Sequence, residues 1–173
     1  STLQTAWQQV KANKGAAGID GQSAERFAAN EQVYLSELAK DLEQGSYRPQ
    51  AVRRVEIPKA GGKTRPLGIP TVKDRIVQTA VKWVIEPIFE AGFCEHSYGF
   101  RPRKSAHQAI DAIADAMWQG QTQVIDADLS KYFDSIPHEF LLRGLQERLA
   151  DGAILGLIRQ WLRAPVVEPS LTG

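Results

Sequence analysis

Residues 51–70, AVRRVEIPKAGGKTRPLGIP, decide the fold of this chain, because they place a turn signal between two β-prone segments. AVRRVEIP and TRPLGIP are predicted to be short strands, and KAGGK joins them. Two adjacent glycines between such segments are typical of a hairpin. Pro66 and Pro70 keep the second strand short or at a sheet edge, because proline donates no ladder hydrogen bond. We therefore predict a small antiparallel hairpin around which the other elements are arranged.

Helices are predicted on both sides of the hairpin, because apolar residues recur there at helical spacing. The predicted helices cover residues 2–13, 24–44, 73–90, 105–118, 138–149 and 152–163. The expected core of the second helix consists of five apolar residues, namely Phe27, Val33, Leu35, Leu38 and Leu42. A further strand is predicted at TQVIDADL, residues 122–129. Without a linker or repeat between these elements, the sequence predicts a single α+β unit.

Composition places the chain among ordinary soluble globular proteins. It has 173 residues, of which 43% are hydrophobic and 24% are charged. No run of eighteen apolar residues and no basic-then-apolar leader is present, so we expect neither membrane association nor a signal peptide. The single cysteine, Cys94, excludes an internal disulfide and is expected to be a small buried residue. These features favour a cytoplasmic protein in a reducing compartment.

Charge is unevenly distributed along the chain. Residues 1–47 have a net charge of −2, residues 48–104 of +7 and residues 105–173 of −4. A basic middle followed by an acidic segment is typical of a protein that holds a polyanion with one part and a metal with another. The alternative is an uneven surface charge without functional meaning.

Three aspartates lie close together in VIDADLSKYFDSIPH, residues 124–138. If residues 122–129 form a strand, Asp126 and Asp128 share one face at a distance of about 7 Å. Two negative charges at that distance repel by roughly 2 kcal/mol, and a divalent cation such as Mg²⁺ would relieve the repulsion. The alternative is a solvated strand end, with Asp134 capping a turn.

Two basic groups are candidates for holding phosphate. The hairpin and the start of the next helix contain the first group, Arg53, Arg54, Lys59, Lys63, Arg65 and Arg75. Lysine on a glycine turn and arginines on rigid backbone suit a phosphate clamp. The second group lies in HSYGFRPRKS, where Tyr98 and Phe100 stand beside Arg101, Arg103 and Lys104. Interleaved aromatic and basic side chains can stack bases and hold phosphates, but for Tyr98 and Phe100 taken singly we expect that they anchor the loop to the core.

An ordered series of motifs in this sequence resembles the reverse transcriptases (maturases) encoded by group II introns. The motifs are NKGAAGIDG, IPKAGGKTRPLGIPTVKDRIVQTAV, SYGFRPRKSAHQAI and DADLSKYFDSIPH. The resemblance runs from about residue 13 to 163. It implies the fingers of a right-hand polymerase over residues 1–121 and the start of the palm over residues 122–173. Reverse transcriptases associated with CRISPR proteins share these motifs and remain an alternative.

The resemblance also implies roles for individual residues. Asp128 matches the first catalytic aspartate, which is a ligand of both Mg²⁺ ions. Leu129 matches the position whose backbone carbonyl also binds the metal. Phe133 matches the aromatic residue that excludes a 2′-hydroxyl from the sugar site. Lys63, Arg65 and Arg75 match the region that grips the incoming triphosphate. Arg101 and its neighbours match a block along the template, whereas Asp126 and Asp134 match no metal ligand.

The function implied is RNA-directed DNA polymerisation by two-metal nucleotidyl transfer, together with binding of intron RNA for splicing and mobility. The implied partners are an RNA template or intron RNA, a DNA primer and dNTPs. A non-catalytic RNA-binding module and a plain metal-binding or scaffold domain are the alternatives. The family's second catalytic block, Tyr-x-Asp-Asp, does not occur in this sequence, so we expect no polymerisation by the 173 residues alone. We also expect self-association through apolar strand edges.

Overall fold

The computed structural model describes residues 1–58, 61–62 and 64–168, and this part of the chain has the predicted α+β architecture. The helices are α1 (Thr2–Ala12), α2 (Ala24–Ala28), α3 (Glu31–Glu43), α4 (Val72–Glu90), α5 (Ala106–Trp118), α6 (Tyr132–Ser135), α7 (His138–Gln146) and α8 (Gly152–Arg163). The strands are β1 (Val52–Pro58), β2 (Thr64–Ile69) and β3 (Val166–Val167). None of the helices in these ranges is long and apolar enough to cross a membrane.

Polar side chains at the N-termini explain where several helices begin. Ser1, Ser23, Thr71 and Ser105 each accept a hydrogen bond from a backbone N–H of the first helical turn that follows. Asp151 accepts two such bonds at the start of α8. These side chains satisfy donors that have no partner within the helix.

The helix predicted over residues 24–44 is divided in two by a turn at Ala29 and Asn30. Leu35 and Leu38 of α3 are buried, as predicted, and so is Phe27 of α2. The prediction that Val33 belongs to the core is wrong, because α3 turns this side chain toward solvent. A residue two positions from Leu35 lies on nearly the opposite side of a helix.

The predicted hairpin is confirmed. β1 and β2 pair antiparallel, with Arg53 opposite Ile69 and Ile57 opposite Arg65. β2 is an edge strand, as its prolines require, since the order in the sheet is β2-β1-β3. The sequence pattern did not reveal β3, which pairs parallel to β1 with Val166 opposite Val52.

The main core lies between α1, α2, α3 and α4. Trp7 and Phe27 are fully buried, and their ring centroids are 4.5 Å apart. Ile76 and Val77 of α4 complete the centre of this core. α8 packs against its side through three partly buried residues, Ile154, Leu157 and Trp161. The start of α4, where Arg75 lies, is therefore held in place by packing against several neighbouring helices.

Two predictions about residues outside this core are wrong. Residues 121–129 form neither a helix nor a strand, and their side chains are exposed. A strand requires backbone pairing with a neighbour, and none of the three described strands lies beside this segment. Cys94 is exposed rather than buried, because it lies in the irregular segment that follows α4.

Candidate functional site

The hairpin presents its arginines on two different faces. Arg53 and Arg65 lie on one face at opposite ends of the β1–β2 ladder, and Arg54 lies on the other. Arg54 forms ion pairs with Glu56 at 3.1 Å and with Glu168 at 3.6 Å. Arg65 is exposed, whereas the Nε atom of Arg53 is buried and makes no hydrogen bond to a described residue. Lys63, which the sequence analysis placed with Arg65, lies outside the described residues.

Arg75 lies in the first turn of α4 and is half-buried. Its Nη2 donates a 2.8 Å hydrogen bond to the carbonyl of Ala16, and its Nε donates a 3.5 Å bond to the carbonyl of Thr71. Burial lowers the pKa of Arg75 from its ordinary value, and the charge of Asp20 partly opposes this effect. The guanidinium is thus held by backbone of the glycine-rich loop that follows α1.

Beside Arg75, Asp74 is the centre of a buried hydrogen-bond network. Tyr47 Oη donates to Asp74 at 2.6 Å, Thr71 Oγ1 at 2.7 Å and the backbone N–H of Gln50 at 3.2 Å. Trp161 Nε1 donates in turn to Tyr47 Oη at 3.1 Å. Burial is the main cause that raises the pKa of Tyr47, and its hydrogen bond to Asp74 adds to it. The network joins the segment before β1 to α4 and α8.

A cleft of about 410 Å³ lies between α1, α4 and α8. Its apolar wall includes Val10 and Trp161. Four polar side chains of α4 also line it, namely Arg75, Gln78, Thr79 and Lys82. Lys82 is exposed and forms an ion pair with Glu86 one helical turn later. The cleft therefore combines an apolar wall with two cationic groups.

Arg101 holds the segment between α4 and α5 in place. Its Nε and Nη2 donate to the carboxylate of Glu90, with the shortest distance 2.7 Å, and Nη1 donates to the carbonyls of Cys94 and Ser97. These hydrogen bonds hold the pKa of the Glu90 carboxyl below its ordinary value. Every nitrogen of this guanidinium has an internal partner, and it also lies 5.1 Å from the ring centroid of Phe93.

Other residues of this segment differ in exposure, since Tyr98 and Lys104 are half-buried. Lys104 donates to the carbonyl of Glu95 and lies 5.1 Å from the ring centroid of Tyr98. Arg103 is exposed, and Phe100 is fully exposed, so the expectation that Phe100 anchors the loop to the core is wrong. Phe100 and Arg103 both have a left-handed backbone, with φ of 55° and 58°. Tyr98, Arg103 and Lys104 therefore lie together on a segment that Arg101 fixes.

The aspartate-containing segment is open. Asp128 is exposed and makes no hydrogen bond or ion pair with a described residue, and Leu129 and Phe133 are largely exposed. Asp128, Leu129, Phe133 and Asp134 line one shallow concavity at the start of α6. Lys131, which immediately precedes that helix, has a left-handed backbone with a φ of 50°. Within the described ranges, no three His, Cys, Asp or Glu side chains form a metal-binding group.

Sequence analysis missed three functional or structural residues of this region. Asp74 was not singled out, although Thr71-x-x-Asp74 has the spacing of a helix N-cap followed by an acidic residue. Glu90, the partner of Arg101, and Tyr47, the partner of Asp74, are both distant in sequence from the residues that they bind. No local pattern reveals such pairs.

Comparisons with known proteins agree with one another. Residues 57–172 match a family model described as "Reverse transcriptase (RNA-dependent DNA polymerase)". The chain is 40% identical over 158 residues to Protein YkfC of Escherichia coli, covering 89% of this chain and 42% of that protein. It is 35% identical over 166 residues to the group II intron-encoded protein LtrA of Lactococcus lactis, covering 94% of this chain and 27% of LtrA.

A eukaryotic relative extends this similarity. The putative COX1/OXI3 intron 2 protein of Saccharomyces cerevisiae is 38% identical over 135 residues, covering 78% of this chain and 16% of that protein. The chain thus spans less than half the length of each of these three relatives.

Proposed function

Because this chain belongs to the reverse transcriptase (RNA-dependent DNA polymerase) family, we propose that it is the N-terminal part of an RNA-directed DNA polymerase encoded by a group II intron. The observation that carries the proposal is the family match over residues 57–172, which includes β2 with Arg65, as well as Arg75 and Asp128. The names of the LtrA and COX1/OXI3 relatives favour a group II intron protein over a CRISPR-associated one.

In this proposal, residues 1–121 are the fingers and residues 122–173 are the start of the palm. The charge distribution supports the division, since the net charge of +7 over residues 48–104 suits a nucleic acid and a triphosphate. The acidic segment that follows contains Asp128, which suits a divalent cation. The partners are an RNA template or intron RNA, a DNA primer and dNTPs.

Asp128 and the backbone carbonyl of Leu129 would hold Mg²⁺. Their oxygens are the ligand type that Mg²⁺ prefers, and the Asp128 carboxylate is exposed and unpaired among the described residues. A cation held there would supply activation of the primer 3′-hydroxyl and charge stabilisation of the leaving pyrophosphate. Phe133, which lines the same concavity, would contact the sugar of the incoming nucleotide and exclude a 2′-hydroxyl.

The basic residues would bind the phosphate groups. Lys63, Arg65 and Arg75 are proposed to grip the triphosphate, where arginine offers a planar fork and lysine a point charge. Arg53, Arg54, Tyr98, Arg103 and Lys104 are proposed to contact RNA. Arg101 belongs to the same RNA-binding segment, and its internal hydrogen bonds support a role in shaping that segment for its neighbours.

Primer extension on an RNA template tests the proposal, in a full-length reverse transcriptase that carries this sequence. Asp128→Asn is expected to abolish extension, because an amide oxygen replaces an anionic metal ligand. Asp126→Asn, two residues away in the same exposed segment, is the matched control and should extend normally. Full activity of Asp128→Asn would contradict the assignment. RNA binding without any primer extension by the unsubstituted protein would favour a non-catalytic RNA-binding module.

A further inference from the structure

The glycine-rich loop NKGAAGIDGQ, residues 13–22, lies directly against the start of α4. A Cβ atom at Gly18 would lie 2.7 Å from Thr71 Cα and 2.8 Å from Thr71 N. A Cβ atom at Gly15 would collide with Nη1 of Arg75. Glycine permits such close approach because it has no side chain. Gly18 therefore lets the loop lie against the backbone of Thr71, and Gly15 leaves room for the guanidinium of Arg75 in its present orientation.

The same loop supplies the contact that orients Arg75. The Ala16 carbonyl, between the two glycines, accepts the 2.8 Å hydrogen bond from Nη2 of Arg75. The Thr71 carbonyl accepts from Nε on the other side of the group. Nη1 lies against Gly15 and makes no hydrogen bond to a described residue, so its two N–H groups and the second N–H of Nη2 remain for a ligand. Because the guanidinium is planar, two fixed nitrogens determine where the third one points.

We propose that the loop of residues 13–22 is a positioning element for Arg75, which sets the guanidinium in the orientation that receives the triphosphate of a dNTP. This inference rests on the proposed role of Arg75 in nucleotide binding. Gly15 and Gly18 are positioning residues that act through Arg75 and do not touch the nucleotide. Two glycines of the motif NKGAAGIDG, Gly15 and Gly18, are explained by their close approach to α4, whereas Gly21 has a positive φ and lies in open space.

Preorganisation is the physical benefit of this arrangement. A free arginine side chain has many rotamers, and fixing it on the ligand costs conformational entropy. When the fold has already ordered the side chain, the ligand binds more tightly without any new contact. A change that releases Arg75 from the loop should therefore weaken nucleotide binding and leave the chemical step largely unchanged.

The test is steady-state primer extension by the full-length reverse transcriptase that carries this sequence. Gly15→Ala is expected to raise the KM for dNTP about tenfold, the order of one lost charge-assisted hydrogen bond, with little change in kcat. Gly144→Ala is the matched control, because a Cβ there meets no atom within 4 Å, and it should leave both constants unchanged. Thermal melting of each variant shows whether the fold is retained.

A double-variant cycle identifies the residue through which Gly15 acts. If the loop acts through Arg75, Gly15→Ala combined with Arg75→Ala should have the same KM as Arg75→Ala alone. Additive effects, or a normal KM in Gly15→Ala when Arg75→Ala raises it, would overturn the positioning role. A normal KM in Arg75→Ala would instead overturn the proposed nucleotide contact.

Folding of the double variant decides the case in which Gly15→Ala does not fold. The collision that the new methyl group would cause is with the Arg75 side chain, so removing that side chain should restore folding. A double variant that still fails to fold would show that Gly15 serves another contact, and the inference would be wrong.

Discussion

Tyr47 shows how a single hydroxyl connects distant parts of this fold. It donates to buried Asp74 and accepts from Trp161, so it joins the segment before β1 to α4 and to α8. Tyr47→Phe is expected to lower the free energy of unfolding by about 1–3 kcal/mol, because a buried carboxylate oxygen loses a donor and a partly buried indole loses an acceptor. Urea denaturation measures the change.

Tyr34→Phe is the control for this prediction. Tyr34 packs against Phe27 in the same core, and its hydroxyl makes no hydrogen bond to a described residue. Loss of the Tyr34 hydroxyl should change the free energy of unfolding by a few tenths of a kcal/mol at most. Equal stability of the Tyr47→Phe and unsubstituted proteins would mean that water replaces the hydroxyl in both contacts.

At the residue scale, the sequence points to charged residues but does not reveal their hydrogen-bond partners. Arg65 and Asp128 are exposed, so both are accessible to the ligands proposed for them. Arg101 was also predicted to bind a ligand, yet its donors are engaged with Glu90 and two backbone carbonyls. The type of a charged residue determines what it can bind, whereas its hydrogen-bond partners depend on which segments the fold brings together.

The ion pair between Glu90 and Arg101 holds the segment of residues 91–105 in place. Glu90→Gln replaces a charge-assisted contact with Arg101 by a weaker neutral one. We expect faster amide hydrogen exchange and faster trypsin cleavage at Arg103 and Lys104, with little change in the exchange of α1. Glu86→Gln, which removes the exposed ion pair with Lys82, is the control and should leave this segment protected.

The same ion pair gives the segment a pH dependence of known sign. Since Arg101 holds the pKa of Glu90 below the ordinary value of 4.5, the contact contributes fully above pH 4.5. Its contribution is lost as the pH falls through the lowered pKa, because the protonated carboxyl accepts less strongly. Trypsin cleavage is unsuitable at such pH, so amide exchange monitors the loss. Glu90→Gln should show no corresponding acid transition.

At the element scale, local signals decided what could be predicted. The hairpin and α4 follow from glycines, prolines and apolar spacing over a few residues, and both are confirmed. The strand expected at residues 122–129 has the alternating pattern, but pairing depends on a neighbour that the pattern does not specify. β3 is two residues long and is defined by its pairing with β1, so no local sequence signal marks it.

For the whole molecule, the uncovered apolar surface of α5 has a predictable consequence. Ile110, Ile113 and Met117 lie along one face of this helix, and each is more than half exposed. Trp118 at its end is 90% exposed. Apolar faces of this kind tend to associate. We expect dimers or larger species in sedimentation velocity at micromolar concentrations, and a shift toward monomer in the Ile110→Glu/Ile113→Glu variant.

Val33→Glu is the matched control for association. Val33 is also more than half exposed, but it lies alone on the outer side of α3. Its substitution should leave the sedimentation profile unchanged. A monomer at all concentrations in the unsubstituted protein would contradict the prediction.

The parallel pairing of Val52 with Val166 has a consequence for biosynthesis. During translation, α1 to α4 can form their core and the hairpin can close as soon as residues 1–90 have left the ribosome. One edge of β1 then stays unpaired until nearly all the described residues have been synthesised. Contacts with such a wide sequence separation form slowly. The nascent chain should therefore pass through an intermediate with an open sheet edge, a natural point of action for a chaperone.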